Sequence, residues 1–223
     1  MALVEIIAVT LEDAKRIEEA KADRIELVSA LSEGGLTPSF GLIEAVIQAV
    51  KIPVNVIIRP HSRGFVYTDE EIKIMKQDIR VAKQLGVNGV VLGVLTPQNE
   101  IDITNIQRLL AECRGLEVTF HRAVDETHVV KSIQTLSQYP QITNILTSGG
   151  IENPIDENLE VLKDSVAQRA HLDILVGGGL TLSNVATIQK ETLAQCFHFG
   201  MAVRTGQEID PIKIRQVMDI LSV

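Results

Sequence analysis

Short apolar runs alternate with segments of helical periodicity along the whole chain. In order the runs read VEIIAV (4–9), RIELVS (24–29), PVNVIIRP (53–60), GVVLGVL (89–95), LEVTFHRAV (116–124), NILTSGG (144–150), DILVGGG (173–179) and CFHFGMA (196–202). Each is short, rich in Val, Ile and Leu, and ends in a charged or glycine tip. Continuous apolar character is what a strand buried on both faces requires, and strands alternating with helices are the signature of parallel βαβ units. Eight such units predict an α/β fold, a single (β/α)8 TIM barrel over residues 1–223. A doubly wound open sheet is the alternative, but no GxGxxG follows the first strand, so its usual dinucleotide-binding form is not expected.

The helix signals agree. EEIKIMKQDIRVAKQL (70–85) places Ile72, Met75, Ile79 and Ala82 on one face, the spacing of a helix packed on a sheet. Thr68 and Glu71 make a capping box ahead of it and Gly86 ends it. Thr37-Pro38, Asn153-Pro154 and Asp210-Pro211 read as caps followed by proline at the first helical position.

Composition narrows the function classes. A net charge of −8 argues against a general nucleic-acid binder, although a local site can still take an anion. No apolar run approaches the roughly 20 residues needed to cross a bilayer, so no membrane partner is expected. The start MALVEIIAVTLEDAKRIEEA lacks secretory signal features, and two cysteines make no disulfide framework. A cytoplasmic location is expected. Aromatic residues are only 3% of the chain, without Trp, so aliphatic packing must carry stability. Homo-oligomers are common among barrels of this kind.

In such barrels chemistry sits at the carboxyl ends of the strands. Three candidate groups lie there. Ser148, Gly149 and Gly150 after the sixth run, and Gly177, Gly178 and Gly179 after the seventh, suit backbone N–H contacts to a small anion, with Arg59 and Arg122 as cationic partners. The same glycines also serve a tight turn. His121 with Asp125 or Glu26 forms an acid–base set, because a carboxylate beside an imidazole fixes its tautomer for proton transfer. A structural His–Asp pair is the competing reading. Glu5 and Glu26 are charges inside apolar strands, and a neighbour such as Arg59 would offset their burial; a structural salt-bridge network plugging the barrel is the competing reading to a functional site. Finally, Cys196 and His198 share a strand face, with Met201 following and Cys113 elsewhere. Thiolate, thioether and imidazole are donors that copper(I) prefers. A buried thiol beside a core histidine fits the pattern equally.

RIELVSALSEGGLTPSFGLI (24–43), IPVNVIIRPHSRGFVYTDEE (52–71), TFHRAVDE (119–126) and ILTSGG (145–150) together resemble the CutC family of copper homeostasis proteins. EGGLTPS and FHRA-D are the most specific segments. The resemblance implies a cytoplasmic βα barrel tied to copper tolerance or trafficking, with copper(I) as the implied metal, and brings no established reaction. Val28 stands where many relatives carry cysteine, and valine cannot ligate a metal. HSRGF (61–65) replaces a glycine-rich RGGDF form, and Gly200 stands where serine is common. Two functions therefore remain open: a copper-binding homeostasis protein, or an enzyme acting by acid–base chemistry on a small anionic or phosphorylated metabolite.

Overall fold

The computed structural model describes residues 2–222. Its eight parallel strands are β1 (Leu3–Ala8), β2 (Arg24–Leu27), β3 (Val54–Ile57), β4 (Gly89–Leu92), β5 (Glu117–Phe120), β6 (Asn144–Thr147), β7 (Asp173–Gly177) and β8 (Cys196–Phe199). Each pairs with the next, and β8 pairs back to β1 through Glu5 opposite His198. The sheet is closed, which excludes the open doubly wound alternative. All eight apolar runs are strands.

Among the described residues eight α-helices surround the barrel: α1 (Leu11–Glu19), α2 (Phe40–Ala49), α3 (Asp69–Gln84), α4 (Ile103–Leu110), α5 (Val129–Leu136), α6 (Leu159–Ala167), α7 (Val185–Thr192) and α8 (Pro211–Leu221). On α3 the capping box forms, Ile72, Met75, Ile79 and Ala82 are buried, and Gly86 follows at φ +81. Asp210 caps α8 ahead of Pro211, as expected. The other two proline caps fall differently. Ser39 caps α2, while Thr37 accepts from the Arg59 amide at 2.8 Å. Asn153-Pro154 precedes only a 3₁₀ turn, and Asn153 makes no cap. Both prolines shape the βα loops rather than start α-helices. No helix among the described residues is long and apolar enough to cross a membrane.

Strand alternation separates two interiors. Outward residues such as Ile6, Leu27, Val56, Leu92, Phe120 and Phe199 pack with the helices into the main core. Among the described residues the lumen holds two small apolar clusters, Val28 with Ile57 and Val91, and Cys196 with Leu146 and Leu175. The remainder of the lumen is polar, and that inversion creates the site.

Candidate functional site

A cavity of about 490 Å³ opens at the carboxyl ends of the strands. Glu26, His198, Arg59, His121 and Arg122 line it, with Ile57, Phe65 and Leu180 among its apolar walls. Such a mixture of apolar wall and few convergent polar groups is the usual form of a small-molecule site.

Its floor is an ion network built by strand register. Arg24 on β2 lies opposite Glu5 on β1, and Glu5 lies opposite His198 on β8. Arg24 Nε donates to Glu5 Oε2 at 2.6 Å, and its other nitrogens reach Glu117 at 3.1 Å and Asn144 at 3.4 Å. Glu5 Oε1 meets His198 Nδ1 at 2.8 Å, and His198 Nε2 stands 3.5 Å from Glu26 Oε2. The cation beside Glu5 is therefore Arg24, not Arg59. Two side chains on one strand face, Arg24 and Glu26, were one register step from revealing this.

The protonation states follow from burial and neighbours. Burial raises the Glu26 carboxyl to about 7, only partly offset by the His198 charge. For His198, burial opposes the charged form, but the Glu5 hydrogen bond and both carboxylate charges outweigh it and raise its pKa. Glu5 is also resisted by burial, yet Arg24 and His198 hold it below the ordinary carboxylate value. Folded Glu26 keeps its proton from 4.5 up to about pH 7, where the unfolded chain has already released it. The His198 stabilisation is complete below its ordinary 6.5 and is lost as pH rises through its higher folded value. Both signs agree. The thermal midpoint should fall between pH 5 and pH 8, and Glu26→Gln should flatten that slope; an unchanged slope in the variant would place the titration elsewhere.

The expected His121–Asp125 pair does not form. His121 Nδ1 accepts from the Ala123 amide at 3.2 Å. Asp125 instead accepts from Arg122 Nε at 2.8 Å, from the Thr147 hydroxyl and from the Ser148 amide and hydroxyl. The reason is the 3₁₀ turn Arg122–Glu126, which swings Asp125 toward β6 and away from the imidazole. His121 belongs to the cavity and Asp125 to the loop that carries Arg122.

The glycine tips divide as well. Gly178 and Gly179 line the cavity. The Ser148 and Gly149 amides are already spent on Asp125 and Thr147, and Gly149 with Gly150 faces a neighbouring groove. Ser148 contributes indirectly, by accepting from Arg122 Nη2 at 2.9 Å. At Gly178, a Cβ would lie 2.5 Å from the Arg122 guanidinium carbon, so this glycine gives the arginine its place. A Cβ at Gly177 would lie 2.9 Å from that of His198. Gly177 therefore answers to strand packing.

The residues present do not fit a copper(I) centre. Cys196 packs between Leu146 and Leu175, and burial with the nearby Asp173 charge pushes its thiol up to about 11. Cys113 lies in the outer core, its thiol against the Leu109 carbonyl and pushed up to about 12 by burial. Met201 is 62% exposed at the mouth. Among the described residues, the one cluster of three potential donors is Glu5, Glu26 and His198. Two of those three donors are carboxylate oxygens, hard ligands unlike the thiolate, thioether and imidazole set that copper(I) prefers.

Arg59 has no carboxylate partner among the described residues. It is buried, its Nη1 donates to the carbonyls of Glu33 and Gly35 at 2.9 and 3.2 Å, and its Nε finds no acceptor. Its guanidinium sits 4.9 Å over the Phe65 ring. Sequence reasoning missed Arg24 and Gly93, the latter lying beside His121. A glycine inside an apolar strand was the available signal.

The CutC family profile matches residues 2–202. The human copper homeostasis protein cutC homolog is 42% identical over 198 residues, covering 88% of this chain and 72% of that protein. A CutC family protein of Salmonella typhimurium is 38% identical over 186 residues, covering 83% and 74%. A CutC crystal structure from Streptococcus agalactiae superposes with a TM-score of 0.86 at 38% identity, over 92% of this chain and all of that one. Phosphoribosyl anthranilate isomerase from Thermococcus kodakaraensis shares the fold, with a TM-score of 0.68 at 14% identity and 99% of both chains covered.

Proposed function

The chain belongs to the CutC family of copper homeostasis proteins, and from that premise we propose that it is a cytoplasmic barrel enzyme that moves a proton on a small anionic metabolite. Its part in copper homeostasis then runs through that chemistry rather than through a copper(I) centre at Cys196 and His198.

The observation that carries this reading is the buried Arg59 without an acidic partner. A buried charge left unpaired is costly, and in this cavity an anionic ligand is the missing counter-charge. Arg122 supports it. Asp125 and Ser148 fix two of its nitrogens, leaving Nη1 beside the cavity. Glu26, with a pKa near 7, is matched to proton transfer at neutral pH. His198 balances the charge on Glu26 as the proton leaves and returns, and Glu5 with Arg24 holds the imidazole in place.

The test is calorimetric titration of inorganic phosphate and of small mono- and dicarboxylates into the native protein and Arg59→Met. A charge-assisted hydrogen bond contributes about 1.5–3 kcal/mol, so the variant should bind roughly 10- to 150-fold more weakly. Anaerobic competition with a chromophoric chelator, run on the same protein and on Cys196→Ser, settles the metal side. Copper(I) affinity should be unchanged by the cysteine replacement. Tight one-to-one binding that collapses in Cys196→Ser, together with no anion binding, would overturn the proposal.

A further inference from the structure

The cavity contains a second orphaned donor. His121 is 5% exposed, lines the cavity and has no partner for Nε2. Because Nδ1 accepts the Ala123 amide, the neutral ring carries its proton on Nε2. The ring is clamped. Phe65 packs on it with centroids 4.8 Å apart, and Gly93 lies so close that a Cβ there would be 2.6 Å from the imidazole. Among the described residues no acceptor meets this buried N–H, so it is held in fixed orientation beside a cavity whose occupant can satisfy it.

We propose that the substrate is a small anionic carbonyl compound with an acidic neighbouring C–H bond, and that His121 donates its Nε2–H to the carbonyl oxygen while Glu26 removes the carbon-bound proton. This rests on the proton-transfer reading of the same cavity. The ionised Glu26 oxygen forms an O–H bond as the C–H bond breaks. The C–H electron pair becomes a C=C bond, and the carbonyl π pair moves onto oxygen. His121 keeps its proton throughout and only hydrogen-bonds the developing oxyanion. Glu26 then returns its proton to the same carbon: the C=C pair takes the proton and the oxyanion pair re-forms the C=O bond, so no oxidant or co-reactant is required.

Three features assign the roles in this order. His121 cannot serve as the base, since its one lone pair is already engaged by a backbone amide. Burial, followed by the Arg59 charge, lowers its pKa to about 3, so it stays neutral across the physiological range. A neutral imidazole is a weak acid whose N–H polarises a carbonyl without surrendering its proton. Glu26 has the opposite character, a carboxyl raised toward neutrality in the same cavity. Two titratable groups whose environments drive them apart are the usual mark of an electrophile and base pair.

The experiment is proton–deuterium exchange in D₂O, followed by proton NMR, with pyruvate, 2-oxobutyrate, levulinate and dihydroxyacetone phosphate as probes. Exchange reports the first half of the reaction, whatever the final product. Enzyme-dependent loss of the α-proton signal is expected for at least one probe. His121→Phe should slow it about 100- to 1000-fold, the effect of removing one oxyanion donor. The same variant should leave that probe's dissociation constant within roughly threefold, since the anion is held by Arg59. His121→Gln, which restores an N–H donor, should recover part of the rate and guards against a variant that fails to fold. Exchange lost in Glu26→Gln but untouched in His121→Phe and His121→Gln would overturn the role of His121 and leave the proton-transfer reading standing. Binding of the probes that depends on Arg59, without exchange of any, would overturn the carbonyl class. Failure of every probe and of phosphate to bind would instead remove the underlying reading.

Discussion

Replacing Arg24 by leucine is expected to destabilise the folded chain by about 3–5 kcal/mol, the cost of breaking a buried ion pair from one side. For a chain of this size that lowers the thermal midpoint by roughly 6–20 °C. Arg24 is buried and contacts Glu5, Glu117 and Asn144, so one side chain ties β1, β2, β5 and β6 together across the lumen. Without it, Glu5 is left with only the imidazole of His198 as a partner. The carboxylate must then either protonate or draw water into the barrel floor. Calorimetric scanning at pH 7 measures the loss. The double variant Arg24→Leu with Glu5→Leu should recover much of it, because replacing both partners removes the uncompensated charge. A single variant as stable as the parent would mean that the floor is already hydrated.

Glu26→Gln is expected to reduce proton transfer in the cavity by about 10²- to 10⁴-fold. Glutamine preserves shape and much of the hydrogen bonding but cannot accept and return a proton. The pH dependence sharpens the expectation. Glu26 must be ionised to act as base, and burial places its ionisation near pH 7. The rate in the native protein should therefore rise through that region, as the base form accumulates. His198→Gln should move the inflection upward, since the charge that favours ionised Glu26 is then gone. The exchange assay above, repeated from pH 5.5 to 8.5, provides both readings. An inflection unmoved by His198→Gln would mean that the imidazole does not govern Glu26.

The two largest effects come from residues of different legibility. Glu26 stood out in RIELVS because a charge inside an apolar strand has to be explained. Arg24 sat at the edge of the same run, where a lysine or arginine is unremarkable. His198 was visible but read with the wrong neighbour. Strand parity put it on the face of Cys196, whereas closure of the barrel put it against Glu5, 193 residues earlier. The pairing of β1 with β8 is a contact between chain ends, and no local pattern encodes its register. Asp125 shows the reverse case. Four residues after His121 it invited a pair, but the 3₁₀ turn between them carried it to Ser148.

By itself, the sequence determined the eight strands, the helical phase of α3, the capping of α3 and α8, and the membership of the family. These follow from periodicities and contacts spanning a few residues, and from motifs read in order. Tertiary structure alone decided which charge meets which: Arg24 with Glu5, His198 between two carboxylates, Arg59 with no carboxylate, and His121 with its Nε2 unpartnered among the described residues. Those pairings depend on the register of strands joined across a closed sheet, and register is a property of the whole barrel. The residue types at the site were therefore legible in the chain. Their protonation states, and so their chemistry, were fixed by the neighbours that closure brought within 4 Å.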